Sequence, residues 1–454
     1  MSPRLFGTSG IRGVANAEVT PLLALRVGAA LASQLDGGAV VVGRDTRLSG
    51  EMLEAALVAG IASCGCEATA LGVVPTPVLA YLTRELEADA GVSISASHNP
   101  PKYNGLKLFD STSMAYTEER QRQLEELIGR GGFDLSTWDA IGAVKAMDAR
   151  RMYVDALAED IRLERRWKIA CDLFNGATST VAPDVFRELG CEATLINAQP
   201  DGRFPAGEPE PTPGSLRRLG LMVKAVGAEI GFGFDGDGDR MMAVDEEGRP
   251  PSPDRVLAAY ARHVVEGNGG GVVVTHVGAS MCIEEAVAEA GGSVVRTKVG
   301  DVSIAEAMRR HGAVFGGEPV GAWIHPEVHL CPDGIVSALK LMGALEEAEE
   351  TLAGFIADIP EHPILRDKVE CPDQRKAEVM KAISSRYSGA FSDMRSASAI
   401  DGVRLDVGDG WTLIRPSGTE PVIRITVEAR GRHQAEELME RSRRFVMKAL
   451  EGVD

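Results

Sequence analysis

The sequence has few aromatic residues, no long apolar run and no excess of basic charge. A membrane span needs about 20 consecutive apolar residues. The N-terminus shows no basic-then-apolar signal pattern, so we expect a cytoplasmic protein with no membrane partner. The formal net charge of −18 argues against nucleic acid as a general partner. A small anionic substrate stays possible, because a few local arginines can outweigh the overall field.

The seven cysteines show no spacing typical of a metal site. Cys64 and Cys66 are two positions apart, which is not the Cys-x-x-Cys pattern, and the total number is odd. We therefore expect reduced, structural cysteines. A Gly-x-Ser-x-Gly elbow is also absent, which argues against a serine hydrolase of the α/β-hydrolase type.

Predicted strands and helices alternate along most of the chain, and this indicates α/β domains. A chain of 454 residues is too long for one hydrophobic core. We expect three related α/β units with mixed sheets, at 1–148, 149–250 and 251–364. The region 365–454 differs, because short strands lie between two helices there. It predicts a smaller α+β domain.

A predicted strand at 90–94 leads into Ser95-Ala96-Ser97-His98-Asn99-Pro100. A hydroxyl at the end of a strand lies where open α/β sheets place their chemistry. The neighbours of Ser97 are small or polar, so we expect little shielding of its hydroxyl. Adjacent side chains point in different directions, so His98 is a poor candidate for the base of Ser97. We interpret Ser97 as a phosphoryl carrier rather than a hydrolase nucleophile.

Asp235, Asp237 and Asp239 alternate with glycines directly after another predicted strand. Carboxylates so close repel one another unless a divalent cation neutralises them, and Mg²⁺ fits because it binds few carboxylates and accepts a phosphate oxygen. A calcium EF-hand requires glycine at the sixth loop position, where this chain has Arg240. The arginine beside the aspartates indicates that an anion binds next to the metal.

Two further segments carry groups that bind phosphate. Arg415-Pro416-Ser417-Gly418-Thr419 combines a guanidinium, two hydroxyls and a glycine with free backbone N–H groups, which predicts a phosphate clamp. Arg424 lies a short strand away and is expected to assist. The segment Leu5–Gly13, which contains Arg12, resembles a second anion-holding loop, with an ordinary turn as the alternative.

Glu318 lies in a glycine-rich loop without basic residues, and a carboxylate of this kind suits hydrogen bonds to sugar hydroxyls. His325 and His329 are four positions apart. Pro326 argues against a helix that would place both on one face as metal ligands.

In this combination and order, the motifs resemble the α-D-phosphohexomutase superfamily over nearly the whole chain. Ser-Ala-Ser-His-Asn-Pro resembles its phosphoserine motif, and Asp-Gly-Asp-Gly-Asp-Arg resembles its metal site. Gly317-Glu318-Pro319-Val320-Gly321 resembles its sugar-recognition loop, and Arg415–Pro421 its phosphate-binding loop. The resemblance implies four domains around a central cleft.

The resemblance also implies an Mg²⁺-dependent intramolecular phosphotransferase acting on small-molecule sugar phosphates. Phosphorylated Ser97 gives its phosphoryl group to a hexose phosphate. The resulting hexose 1,6-bisphosphate reorients, and Ser97 takes a phosphoryl group back from the other end. Interconversion of hexose 6-phosphate and hexose 1-phosphate is the expected activity.

The resemblance carries further roles over by position. Ser97 would join the three aspartates as a metal ligand, with His98 and Asn99 supporting its loop. Lys298, Glu318 and Val320 would lie by the sugar. The residues near the reacting phosphoryl group would be Arg12, Lys107 and Arg240, with Lys107 or Arg12 helping proton transfer.

The sugar loop departs from that of many relatives, which have serine and histidine where this chain has Val320 and Ala322. Two polar contacts to the sugar are therefore missing or supplied elsewhere, for example by His325 or His329. A non-catalytic sugar-phosphate binding protein is the alternative from a different functional class.

Local similarity divides between two groups of enzymes. The segments at 94–97 and 298–301 resemble phosphoglucosamine mutases, and the segment at 101–105 resembles phosphomannomutase/phosphoglucomutase enzymes. The mixture resembles archaeal-type members. We expect glucosamine phosphate as the substrate, with mannose or glucose phosphate as the alternative, and a monomer or homodimer.

Overall fold

Helices and strands alternate through most of the computed structural model, which describes residues 5–417 and 420–452. Gly418 and Thr419 of the predicted phosphate clamp lie outside the described residues. The strands are β1 (Phe6–Gly7), β2 (Gly10–Val14), β3 (Ala39–Arg44), β4 (Glu67–Val73), β5 (Ala90–Ile94), β6 (Tyr103–Asp110), β7 (Val144–Ala146), β8 (Lys168–Asp172), β9 (Glu192–Ile196), β10 (Ile230–Phe234), β11 (Met241–Val244), β12 (Val272–His276), β13 (Ser293–Thr297), β14 (Phe315–Gly317), β15 (Trp323–Ile324), β16 (Ile364–Glu370), β17 (Met394–Ser398), β18 (Val403–Val407), β19 (Gly410–Pro416) and β20 (Val422–Ala429).

The α-helices are α1 (Pro21–Leu35), α2 (Gly50–Ser63), α3 (Thr76–Glu85), α4 (Glu118–Arg130), α5 (Arg150–Asp160), α6 (Ala182–Glu188), α7 (Arg217–Val226), α8 (Pro253–Gly267), α9 (Cys282–Glu289), α10 (Asp301–His311), α11 (Gly334–Glu347), α12 (Leu352–Phe355), α13 (Asp373–Ala390) and α14 (Arg432–Glu451). One 3₁₀ helix spans Ala177–Thr180.

The chain folds into two compact units. The first contains the described residues up to Pro253 together with Gly300–Ala357, and the second contains Asp254–Val299 together with the described residues from Asp358 onward. The predicted phosphoserine, metal and sugar motifs belong to the first unit. Lys298 and the predicted phosphate clamp belong to the second.

In the first unit, a seven-stranded mixed sheet places Asp45, which follows β3, and the Ser97 loop, which follows β5, at the same edge. Its strand order is β1-β2-β6-β5-β3-β4-β7, and β3 runs parallel to both β5 and β4. The central strands are buried apolar runs, as expected for parallel strands covered on both faces. Because the carboxyl ends of β3 and β5 meet, the amide of Asp45 donates to Ile94 O at 3.0 Å.

Helices α1 and α2 pack closely on one face of this sheet because each presents a glycine to the other. A Cβ added to Gly28 would lie 2.3 Å from Leu57 O, and one added to Gly60 would lie 2.1 Å from Leu25 O. Both contacts are with backbone atoms, which cannot move without separating the helices.

Gly60→Ala is therefore expected to destabilise the protein, although alanine is the better helix former. We expect the overpacking cost of about 1–3 kcal/mol to exceed the propensity gain of about 1 kcal/mol. Gly343→Ala is the control, because Gly343 lies within α11 and its added Cβ would meet nothing within 4 Å. Urea unfolding should show opposite signs for the two variants, and a stabilised Gly60→Ala protein would contradict the packing argument.

A four-stranded sheet of order β11-β10-β8-β9 holds the aspartate segment. Its strand β10 is buried throughout and ends at Phe234, so the three aspartates follow directly in the connection to β11. Strands β8 and β10 are parallel, and β11 returns antiparallel to β10. The predicted strand before the aspartates is thus present, and the aspartates lie at its carboxyl end.

The second unit contains the parallel pair β12 and β13 and a five-stranded antiparallel sheet of order β16-β20-β19-β18-β17. Helices α13 and α14 pack on the larger sheet, where Ile383, Phe445 and Val446 join its buried residues in one hydrophobic core. This arrangement agrees with the α+β domain predicted for the end of the chain.

The N-terminal segment was expected to hold an anion in a loop, and the loop conformation is wrong for residues 10–13. Gly10–Val14 forms β2, which pairs antiparallel with β6. Gly10 permits the close approach of the two strands, because an added Cβ would lie 2.4 Å from Leu106 O. Only Thr8 and Ser9 form a turn, between β1 and β2.

No helix within residues 5–417 and 420–452 combines the length and apolar character needed to cross a membrane.

All seven cysteines are free thiols and six are buried, which agrees with a structural role. Helix α3 was not predicted. Pro77 lies in the first turn of this helix, where its missing N–H costs no hydrogen bond.

Candidate active site

Ser97 is fully buried, contrary to the expectation of a little-shielded hydroxyl. The shielding comes from residues that are distant in sequence. Its Oγ donates to Asp235 Oδ2 at 2.6 Å. A Cβ added to Gly236 would lie 2.6 Å from Ser97 O, so the aspartate segment packs directly on the serine backbone. Ser97 also has a φ of 50°, in the left-handed region that non-glycine residues rarely adopt.

His98 lies closer to the serine hydroxyl than the sequence argument allowed. Its Nδ1 is 3.2 Å from Ser97 Oγ. The left-handed conformation of Ser97 turns the two adjacent side chains toward each other, so the expectation that they point apart is wrong. Burial, followed by the charges of Arg240 and Arg12, lowers the pKa of His98 to about 3. The imidazole is therefore neutral near pH 7.

The three aspartates converge as predicted. Asp235, Asp237 and Asp239 are buried, and one carboxylate oxygen of each lies within 4.8 Å of the others. The Oδ1 atoms of Asp237 and Asp239 are buried without a hydrogen-bond partner. Oxygen ligands in this number suit a hard divalent cation such as Mg²⁺. The residues present therefore fit a metal site.

Repulsion between neighbouring carboxylates affects the pKa of Asp235. Burial, then the charges of Asp239 and Asp237, raises the pKa of Asp235 well above its ordinary value. Asp237 behaves in the opposite way: burial opposes ionisation, but Lys107 and a hydrogen bond from Thr76 lower its pKa below the ordinary value. A bound cation would favour the ionised form of Asp235.

Lys107 is the counter-charge of the aspartate cluster. Its Nζ lies 2.7 Å from Asp237 Oδ2 and 2.6 Å from Asp239 Oδ2. Burial lowers its pKa, but attraction to the two aspartates outweighs burial, and the net shift is upward. In this arrangement Lys107 is an ammonium that can donate a proton and stabilise negative charge, and it is not a base.

Two arginines border the serine and the aspartates. Arg12 donates to Asn99 Oδ1 at 3.2 Å, and its Nε is buried without a partner. Arg240 lies 3.8 Å from Asp239 and 3.8 Å from Glu210. All first-unit residues predicted for the phosphoryl site are thus brought together.

Glu318 is buried, and its Oε1 accepts a hydrogen bond from Gly300 N at 3.0 Å. Burial, followed by the charge of Asp301, raises its pKa to about 7. Val320 is 46% exposed in the same loop. The loop therefore presents one carboxylate and one exposed apolar side chain.

His325 and His329 do not replace the missing polar contacts to the sugar. Both are buried: His325 Nε2 lies 3.2 Å from Ser337 Oγ, and His329 Nε2 lies 3.0 Å from Asp333 Oδ2. Their partners belong to α11 and its N-cap. The suggestion of sugar contacts is wrong because the two rings pack inward against this helix.

Burial of His325 should make the protein acid-sensitive. Burial lowers its pKa to about 4, whereas an unfolded chain has a histidine pKa of about 6.5. Below pH 6.5 the unfolded state binds a proton that the folded state excludes until about pH 4. The stabilisation is therefore complete above pH 6.5 and is lost as pH falls, by up to about 1.4 kcal/mol per pH unit.

His325→Gln is expected to make the fall in unfolding free energy between pH 6.5 and pH 4 shallower by that amount. Urea unfolding at several pH values measures the slope. His433→Gln is the control, because His433 is 82% exposed. An unchanged slope in His325→Gln would contradict the neutral, buried ring.

The described residues of the predicted phosphate clamp lie on or directly beside strands β19 and β20 of the second unit. Arg415 and Arg424 are direct register partners on β19 and β20. Arg415 lies 3.2 Å from Asp401, and Arg424 lies 2.8 Å from Glu420. Ser417 is buried, and its amide donates to Val422 O at 3.0 Å. Lys298 follows β13 in the same unit.

Sequence reasoning missed Thr76, which supports a predicted metal ligand. Its Oγ1 donates to Asp237 Oδ2 at 2.6 Å, and its amide donates to Asp237 O at 2.9 Å. Thr76 is the first residue of α3. The signal was present, since Pro-Thr-Pro after a strand is compatible with a helix start.

The site and the two units have the features of an α-D-phosphohexomutase, and comparisons with known proteins agree. Family models described as phosphoglucomutase/phosphomannomutase α/β/α domains I, II and III match residues 3–134, 151–248 and 252–362. The model of the C-terminal domain matches 368–444. The chain belongs to the phosphoglucomutase/phosphomannomutase family of the α-D-phosphohexomutase superfamily. It is an enzyme of the mutase class, and the predicted class of three α/β domains followed by a smaller one is confirmed.

Individual relatives match over their full length. A protein of Methanopyrus kandleri named "Probable phosphoglucosamine mutase" is 46% identical over 452 residues, which are 99% of each chain. A protein of the same name from Methanothermobacter thermautotrophicus is 45% identical, covering 98% of each. A crystal structure of a phosphoglucomutase/phosphomannomutase family protein from Burkholderia thailandensis has a TM-score of 0.89 and 29% identity, covering 99% of this chain and 98% of that one.

Proposed function

We propose that this chain interconverts glucosamine 6-phosphate and glucosamine 1-phosphate through a phosphoserine at Ser97 and a glucosamine 1,6-bisphosphate intermediate. The observation that carries the proposal is the buried Ser97 hydroxyl, which donates to Asp235 within a convergent set of three carboxylates. A hydroxyl in contact with a proposed metal ligand suits reversible phosphoryl transfer better than hydrolysis.

Mg²⁺ is the proposed cofactor, and its ligands would be Asp235, Asp237, Asp239 and an oxygen on Ser97. The unpartnered carboxylate oxygens support this assignment. When bound, the ion would neutralise charge on the transferring phosphoryl group. Asp237 would be held for this task by the two hydrogen bonds from Thr76.

The protein's own groups would then act on charge and position. As the Oγ–P bond of phosphorylated Ser97 breaks, a sugar hydroxyl would form the new O–P bond, and its proton would end on the departing Oγ, which restores the Ser97 hydroxyl. Arg12, Arg240 and the ammonium of Lys107 would stabilise the oxygens that carry the negative charge. Arg415, Ser417 and Arg424, with Gly418 and Thr419, would bind the phosphate that does not react, and Lys298 would contact the sugar.

An amino sugar is favoured because two carboxylates lie at the sugar loop. Glu318 has a raised pKa, and Asp301 is the neighbouring charge that contributes most to the shift after burial. Asp301 is held by a hydrogen bond from Ser9 Oγ at 2.7 Å. The ammonium at C2 of glucosamine phosphate would relieve the repulsion between these carboxylates. Glucose and mannose phosphates carry no such charge and are the alternative substrates.

The test is a side-by-side assay of glucosamine, glucose and mannose 6-phosphates with Mg²⁺ and a 1,6-bisphosphate activator. We expect the highest kcat/KM with glucosamine 6-phosphate. Asp301→Asn should lower that preference by about 10-fold, since hydrogen bonds to charged groups contribute about 1.5–3 kcal/mol. If the protein turned over none of the three sugar phosphates, the proposed activity would be refuted in favour of a non-catalytic binding protein. A preference for mannose or glucose phosphate would refute the proposed substrate.

A further inference from the structure

Arg47 is a buried arginine whose two terminal guanidinium nitrogens are directed at backbone carbonyls of the Ser97 loop and the start of β6. Its side chain has no exposed surface. The side chain of Asp45 accepts from Nε at 2.9 Å. The two terminal nitrogens donate to backbone carbonyls at 2.7–2.9 Å, and these carbonyls belong to Ser97, Asn99, Pro100 and Tyr103.

The partner of Arg47 reaches the other side of the same loop. Asp45 Oδ2 also accepts from Ser95 Oγ at 2.7 Å. Ser95 Oγ in turn accepts from the amide of Ser97 at 2.8 Å. Ser97 is therefore held at its carbonyl by Arg47 directly and at its amide by Asp45 through Ser95.

The arginine is enclosed from a second direction by a turn that belongs to another family domain. The ring of Phe204 lies over the guanidinium at 5.1 Å. A Cβ added to Gly202 would lie 2.6 Å from Arg47 Cα, so this turn approaches the arginine as closely as a glycine permits. The guanidinium is thus covered by the ring of Phe204, and the backbone of Arg47 is covered by Gly202.

The hydrogen bonds to Arg47 and Ser95 hold Ser97, a residue whose backbone conformation is strained. The φ of 50° at Ser97 costs roughly 1–2 kcal/mol for a residue with a Cβ. In this conformation Oγ donates to Asp235 Oδ2. Strain of this kind persists only when the surroundings over-determine the conformation, and two hydrogen-bonded backbone groups on one residue meet that requirement.

We propose that Arg47, together with Asp45 and Ser95, is a positioning residue that holds Ser97 in its left-handed conformation and so aims Oγ at the metal-binding carboxylates. Arg47 touches neither Oγ nor any predicted metal ligand's carboxylate. It acts only through the backbone of the loop. The role rests on the proposed phosphoserine chemistry, because it concerns the geometry of the phosphoryl carrier.

The geometry assigns this role to arginine rather than to a cation in general. A guanidinium offers five N–H donors in a planar fork, and Arg47 uses them on one carboxylate and four carbonyls. A lysine ammonium has three donors around one point and cannot span these acceptors. Arg47→Lys keeps the charge and loses the geometry, which makes it the informative variant.

The test measures single-turnover phosphorylation of dephosphorylated protein by glucose 1,6-bisphosphate with Mg²⁺, followed by intact mass after rapid quenching. We expect Arg47→Lys to slow phosphorylation of Ser97 by about 10²-fold per folded molecule, the effect of a misplacement of about 1 Å. In steady state, kcat should fall while KM changes by less than about 3-fold. A purely structural role would lower the melting temperature without changing the rate constant of the folded fraction.

Two further variants keep the test decisive. Ser95→Ala removes only the link between Asp45 and the Ser97 amide, and we expect a slowing of about 10-fold. If Arg47→Lys does not fold, the phosphorylation rate of Ser95→Ala tests the positioning role by itself. Arg26→Met is the control, because Arg26 donates to the backbone carbonyl of Ile128 in the same sheet domain and belongs to no part of the site.

The possible outcomes separate the inference from the proposed function. Wild-type protein that is never phosphorylated at Ser97 would refute the proposed function and the role built on it. Wild-type protein that is phosphorylated, with Arg47→Lys or Ser95→Ala reacting at the wild-type rate, would refute the positioning role alone. Slow phosphorylation in these variants and normal phosphorylation in Arg26→Met would support it.

Discussion

Ser97→Ala should lower kcat for the interconversion of hexose phosphates by at least ~10³-fold, because it removes the atom that carries the phosphoryl group. The expected KM change is small, since the proposed phosphate and sugar contacts do not include Oγ. Folding should be nearly unaffected, because alanine adopts the same backbone conformation at a cost similar to that of serine. A coupled assay of product formation, with circular dichroism to confirm folding, measures both effects.

Ser113→Ala is the matched control for this variant. Ser113 is also buried and also has a positive φ, of 65°, but its Oγ donates to the backbone of Thr112 outside the site. We expect it to keep nearly full activity. Substantial turnover by Ser97→Ala would show that the phosphoryl group travels by another route.

Asp235→Asn should separate the metal's contribution to activity from its contribution to stability. We expect a loss of several kcal/mol of transition-state stabilisation, or about 10²- to 10³-fold in rate. In EDTA the variant should be at least as stable as the wild type, because burial and two neighbouring charges disfavour the ionised Asp235 side chain. Asparagine keeps the size and an acceptor without the charge.

The stabilisation that follows addition of Mg²⁺ should distinguish the wild type from Asp235→Asn most clearly. Mg²⁺ at 100 times its dissociation constant is expected to stabilise the wild type by about 2.7 kcal/mol and Asp235→Asn by much less. Asp245→Asn is the control, since Asp245 is a buried carboxylate that pairs with Arg249 outside the cluster. A full Mg²⁺-induced rise in melting temperature in Asp235→Asn would contradict the assignment of Asp235 as a ligand.

The sequence predicted those parts of the site that rest on local patterns. The three aspartates converge as expected because alternation with glycine lets one short connection curl. The strand before Ser97 ends where it was expected to end, at Ile94. Both features depend on residues within one segment, so periodicity and glycine content were sufficient to find them.

Features made by contacts between distant segments were not predicted. Ser97 was expected to be exposed because its sequence neighbours are small, but Asp235 and Arg47 contact it from the connections that follow β10 and β3. Arg47 was not singled out from the sequence, because its significance depends on β3 and β5 being neighbours in the sheet. His325 looked available to a sugar, and only the packing of α11 shows that it faces the core.

The most direct test of the account follows a labelled phosphoryl group from Ser97. Protein labelled with ³²P at Ser97 is mixed with unlabelled glucosamine 6-phosphate and quenched at intervals shorter than one turnover. We predict that the label leaves Ser97 at least as fast as kcat and appears first in the 1,6-bisphosphate and then in glucosamine 1-phosphate, because transfer to glucosamine 6-phosphate places the label at position 1. Product formation while the label stays on Ser97 would contradict the phosphoserine mechanism.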